Sequence, residues 1–338
     1  MVTDTAKRVS PSPSVSIVIA SALGVLVALV SSIIDYAALD AGTLTKLAGL
    51  DAAITVPSTA WSIVWLSVVL TWAVAWLAGS RYPHGLHVAA IVVTALGTLY
   101  QLAAAILNFG WATLILVILA AVVLFFTIRA CRASKGADDA PQVARDSRTW
   151  VLGGFLVVAG IAGLLAAYSL SVEKVVAIVQ PGAKLGCDFS IFVQCSANLG
   201  SAQGAVLGFP NPLLGLGGFA VPLVIGIAIL TGSRFARWFW LAFNIGVFLA
   251  LALVIFLIGS SIYALHTLCP WCSLVWTVTI PMFWLVTIYS FKTGVFRVSP
   301  MATRFFAAAY TWTPLITLIS YLVVATLFQV QLNVIQYF

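Results

Sequence analysis

The sequence predicts an all-α integral membrane protein of about nine transmembrane helices, on three observations. Hydrophobic residues make up 62% of the 338 and charged residues only 7%, with a mean hydropathy of +1.13. Soluble domains do not have that balance. The apolar residues fall into runs of about 20, the length that crosses a bilayer core. The few charges collect between the runs, and Lys and Arg favour alternate gaps, as in a chain whose cytoplasmic loops are basic.

Taken in order, the expected spans are 15–36, 59–78, 86–107, 111–130, 150–171, 212–231, 237–259, 262–291 and 305–330. The eighth exceeds one crossing and is expected to tilt or to project beyond the membrane. Residues 1–14 read as a polar, disordered tail with no cleavable signal pattern. With the N-terminus in the cytoplasm, thirteen of the 16 Lys and Arg, from Lys7 and Arg8 to Arg304, fall on the cytoplasmic side. Lys46, Lys174 and Lys184 fall outside. The net charge of +7 therefore follows from topology and gives no reason to expect nucleic acid.

Residues 131–149 break the hydropathy with charges, Gly136, Pro141 and the adjacent acids Asp138 and Asp139. This gives a four-span region over 1–131, a cytoplasmic linker over 132–149, a second multi-span region over 150–294 and a C-terminal span within 295–338. Each half begins with a span, a long outer loop and three more spans. Gly79-Ser80-Arg81-Tyr82 after the second span echoes Gly232-Ser233-Arg234-Phe235 after the sixth. The first half reads as a degenerate copy of the second, without its cysteines and with no role legible in its residues.

Four of the five cysteines form two close pairs. Cys269-Pro270-Trp271-Cys272 stands at the head of an apolar run, where a helix N-terminus favours a thiolate, the species that exchanges with disulfides. Cys187 and Cys195 lie eight apart in the polar outer loop 172–210. The topology puts both pairs outside, in the oxidising compartment of a bacterial membrane, and Cys131 inside beside Arg129 and Arg132 as a bystander. Residues alone leave three readings: a redox relay, two inert bridges, or a zinc site of four thiolates that suits the context poorly. His266, expected one helical turn before Cys269, is a candidate for tuning a thiolate or carrying a proton, or a polar interfacial residue and no more. Asp188, Glu173 and Lys174 read as solvated loop charges.

The stretch 150–294 resembles the vitamin K epoxide reductase family, most closely its bacterial members that oxidise protein thiols. The matching features are the loop cysteines eight apart, Ser201 six residues after the second, Phe209-Pro210-Asn211-Pro212-Leu213-Leu214-Gly215 opening the next span, and the outer Cys-x-x-Cys. The resemblance implies a four-helix bundle around a quinone site. In it, Cys187 and Cys195 exchange with a reduced partner, Cys195 passes electrons to Cys269, and Cys272 faces a quinone, menaquinone or ubiquinone. It also implies Asn211 as a hydrogen-bond donor to that quinone, although the same residue suits a helix N-cap. Trp276 stands where the family often has a donor tyrosine, and its indole N–H is also a donor. Ser201 belongs to the cover of the site, or serves as an ordinary turn residue. No metal site is expected.

The function implied is disulfide formation in exported proteins at the plasma (inner) membrane, with a thioredoxin-fold thiol oxidase outside. Because the chain ends soon after its ninth span, that partner is expected to be a separate protein. Two other classes fit the chain less well. A conduit carrying reducing power outward needs thiols reachable from both faces, and a non-catalytic assembly module leaves the cysteines unused.

Overall fold

The computed structural model describes residues 13–38, 58–77, 84–107, 110–134 and 147–332. The polar tail before Pro13, the first outer loop, the Gly79 to Tyr82 segment and the middle of the linker lie outside the described residues. Among the described residues the structure is helical, with no strand, and nine segments are long and apolar enough to cross a membrane.

In the first half, α1 (Pro13–Ala38), α2 (Ser58–Leu77), α3 (His84–Leu107) and α4 (Trp111–Ser134) form one bundle. In the second, α5 (Ser147–Val179), the short α6 (Ser196–Gly200), α7 (Asn211–Leu230), α8 (Arg237–Ser260) and α9 (Pro270–Lys292) form another. Then α10 (Pro300–Ala309) and α11 (Thr313–Leu332) complete the described chain. Large apolar side chains point outward on most spans, among them Leu96, Ile118, Val158, Leu249 and Leu322, each more than half exposed. A lipid environment accepts such a surface, whereas water would not.

The halves pack their helices in the same order. Helix α1 lies against α2 and α4, and α4 against α3; likewise α5 lies against α7 and α9, and α9 against α8. The halves meet where α2 packs on α7 and where Tyr36 donates a hydrogen bond to the Ser171 carbonyl. The closest pairing is α5 with α7, and it depends on small residues, as helix contacts in membranes do. A Cβ on Gly226 would lie 2.7 Å from the Gly153 carbonyl oxygen.

Three expectations need correction. The expected eighth span, 262–291, is not one helix. Helix α8 runs on into a π-turn over Ser261–Leu265 and stops at His266, whose φ of +53° is left-handed. Residues 267–269 are extended, and α9 begins only at Pro270. Proline has no N–H for a continuing helix and pushes the residue before it out of the helical region. The fifth helix reaches Val179, eight residues beyond its expected end, and carries Glu173 and Lys174 on the added turns. The ninth segment is broken by a 3₁₀ turn, Tyr310–Trp312, ahead of α11. Helix α11 is tied to α9: Pro281 frees the Thr277 carbonyl, and Tyr321 donates to that oxygen at 2.5 Å.

Candidate active site

The four paired cysteines come together at one end of the second bundle. The segment before Cys269 and the loop before Cys195 join through one parallel bridge, Val193 with Leu268. Leu268 N–H donates to the Phe192 carbonyl at 2.6 Å, and Gln194 N–H to the Leu268 carbonyl at 3.0 Å. This short backbone match sets the next residues opposite one another, and the Cys269 and Cys195 sulfurs lie 3.4 Å apart. Cys195 is disulfide-bonded to Cys187, whereas Cys269 and Cys272 are not bonded to each other. Cys187, Cys195 and Cys269 are buried with Leu170, Leu185 and Leu199.

Cys269 occupies the N-cap of α9, and its sulfur accepts a hydrogen bond from the Cys272 backbone N–H at 3.3 Å. The Cys272 thiol hydrogen bond, then the Cys272 and Trp271 amides, draw the Cys269 thiol below its ordinary range; burial and Asp188 oppose them. Cys269 is thus the more readily ionised thiol of the helix head.

The loop charges are not merely solvated. Asp188 accepts from the N–H groups of Cys195 at 2.7 Å, Ser196 at 3.1 Å and Leu185 at 3.2 Å. Burial opposes its ionisation, but those amides outweigh it and hold the carboxyl below the usual carboxylate range. Glu173 accepts from Gly186 N–H, and Lys174 donates to the Leu199 carbonyl. These contacts fasten the loop to the end of α5. A sequence shows charges beside a cysteine but not which amides converge on them.

Below the thiols, α7 and α8 stand apart around a cavity of about 530 Å³. Its wall is mostly apolar; Cys272, Asn198 and Asn211 line it, and Thr279 adds a hydroxyl two turns further along α9. Both ends of the Asn211 amide are engaged: Nδ2 donates to the Gln203 carbonyl at 2.7 Å, and Oδ1 accepts from Val206 N–H at 3.0 Å. Asn211 is the first residue of α7, with Pro210 in the cap position, so it binds the covering loop and does not cap the helix. Trp276 also lines the cavity; it is buried, and its indole N–H has no hydrogen-bond partner among the described residues. Behind it stands Phe328 of α11, ring centroids 6.0 Å apart.

Ser201 does not line the cavity. It donates to the Asn198 carbonyl and accepts from Gly204 N–H, the turn chemistry open to it in the sequence. His266 is exposed and lies on the left-handed residue that ends the π-turn, so no helical turn joins it to Cys269. Cys131 is buried in α4 of the first half. Asn198 carried no signal in the sequence beyond its place three residues after Cys195. The described residues hold no metal-binding cluster of His, Cys, Asp and Glu.

These features define a helical membrane protein with a disulfide and a dithiol in contact above an apolar cavity, a site for thiol–disulfide exchange. Residues 155–287, which run from α5 into α9, match the model of the Vitamin K epoxide reductase family. The match covers less than half of the chain. It supports membership of that family and an oxidoreductase that acts on thiols in a membrane. No curated protein and no solved structure matches the chain.

Proposed function

We propose that the chain is a quinone-linked thiol oxidoreductase that forms disulfides in exported proteins through a thioredoxin-fold partner. One observation carries the reading: Cys269 touches Cys195 on one side, while its neighbour Cys272 lines the cavity on the other. A volume of about 530 Å³ lies in the range of small-molecule sites, and the buried, unpartnered Trp276 N–H is a donor suited to a carbonyl oxygen. The donor set and the apolar wall fit a quinone ring, with Trp276 and a remaining Asn211 Nδ2 hydrogen as its holders. When bound, a quinone supplies a sink for two electrons and two protons.

The chain's own steps are disulfide exchanges. A reduced partner's thiolate attacks the Cys187–Cys195 disulfide, and the partner's second thiol resolves the mixed disulfide. The partner leaves oxidised and the loop pair holds the two electrons as thiols. Because Cys187 is buried, this exchange requires the loop around the exposed Phe189 and Ile191 to lift. Next, with the helix-head pair oxidised, Cys195 attacks Cys269 and releases Cys272. Cys187 then attacks Cys195 and releases Cys269, which restores the loop disulfide. A bonded loop pair beside a reduced helix-head pair is the state that follows that transfer. The basic-loop asymmetry supports a position of these thiols on the outer face of the plasma membrane.

The test is a two-substrate assay on the purified protein in lipid nanodiscs. Ubiquinone or menaquinone analogues are supplied with a reduced thioredoxin-fold protein, and both quinol absorbance and thiol loss are followed. One quinol per disulfide formed, lost in Cys272→Ser, is the expected result. Partner reduction at the expense of quinol would reverse the direction. No quinol and no thiol loss from folded protein would overturn the proposal.

A further inference from the structure

Two helix starts meet in register at this site. Cys195 is the cap of α6 and Asn198 its third residue; Cys269 is the cap of α9 and Cys272 its third residue. The cap sulfurs face each other at 3.4 Å, and the Asn198 amide Nδ2 faces the Cys272 sulfur at 3.7 Å. We propose that Asn198 is a positioning residue for Cys272: its amide N–H holds the inner sulfur at the cavity and stabilises it as a thiolate during exchange. The inference rests on the reading that Cys272 is released and recaptured in thiol exchange, and it does not depend on a quinone.

The support around Asn198 suits that role. It is buried, and its carbonyl accepts from both the N–H and the hydroxyl of Ser201. Gly204 packs so tightly beneath it that a Cβ there would lie 2.3 Å from the same carbonyl oxygen. The turn that carries the amide is thus pinned from several sides, and the side chain extends from a fixed base. Cys272 needs outside help because its own backbone N–H is spent on the Cys269 sulfur. When Cys195 attacks Cys269, the S–S bond to Cys272 breaks and its electron pair stays on Cys272. A neutral amide bonds an anionic sulfur more strongly than a neutral one, so the contact strengthens as the bond breaks. In the reverse exchange the same contact raises the thiolate population of the attacking Cys272.

The experiment uses the full chain with Cys269→Ser and an intact loop disulfide. The alkylation rate of Cys272 by N-ethylmaleimide is measured against pH by mass spectrometry. Asn198→Leu keeps the volume and removes the donor. It should move the thiolate midpoint upward and slow alkylation at neutral pH by about tenfold or more, the size of effect expected for a hydrogen bond to a charged group. Asn198→Gln, which keeps the amide, should recover part of that rate. The charged groups around this turn, Asp188, Glu173 and Lys174, are held by backbone partners and are untouched by the substitutions. If Asn198→Leu does not fold, Asn198→Asp takes its place and should slow alkylation further, because it loses the donor and adds a like charge. A folded variant of either kind with the parental pH profile overturns the proposal, whatever the outcome with quinones.

Discussion

The two halves share one helical packing order and differ in what fills it. In the first half α2 and α3 close on each other: Gln101 of α3 donates to Ser62 of α2. Trp65 lies so near Gly97 that a Cβ there would stand 2.5 Å from its ring. A smaller apolar groove of about 320 Å³ remains between them. In the second half α7 and α8 part around the larger cavity, and the thiols stand over its end. Similar scaffolds therefore carry different contents. The chemistry of the second half comes from cysteines on a loop and a helix head, and the first half carries only Cys131.

That comparison breaks most sharply at the thiols. Cys269→Ala should abolish transfer between the loop pair and the cavity, lowering quinol formation by at least about 10³-fold, because Cys269 is the thiol in contact with Cys195. Retained turnover would mean that electrons reach the cavity by another route.

A smaller effect is expected at the loop's anchor. Asp188→Leu removes the acceptor of three amides and should slow Cys195–Cys269 exchange about tenfold, measured by trapping the mixed disulfide in a Cys187→Ser background. The same anchor has a defined pH dependence. Its folded carboxyl lies below the usual carboxylate range, so its contribution is complete above that range and is lost as the pH falls through the folded value. Loop closure, read as protection of Cys187 and Cys195 from reductant, should thus persist at mildly acidic pH and fail only in strong acid. Failure near neutrality would remove Asp188 from this role.

The smallest effect tests the first half. Gln101→Leu removes its buried bond to Ser62 and should cost about 0.6–1.7 kcal/mol, the range for hydrogen bonds between membrane helices. Thermal unfolding should show that loss while quinol formation changes less than twofold. A fall of tenfold or more in a folded variant would bring the first half into the chemistry.

Much of this was decided by the residues in order. Span number, the reactive pair at a helix head and the second pair in an outer loop are local properties, set by hydropathy, by Pro270 and by spacing along the chain. The break at His266 was hidden because Ile262, Tyr263, Ala264 and Leu265 are as apolar as the helix that follows, and hydropathy cannot see a left-handed residue. The tertiary structure alone decided which sulfur meets which. Cys195 faces Cys269 because Val193 and Leu268, 75 residues apart, share backbone hydrogen bonds, and no local pattern encodes that register. It also decided the contacts of Asp188 and Asn198, and it turned Asn211 toward the covering loop. Each of these depends on where a distant backbone or sulfur comes to rest, which the chain settles only by folding.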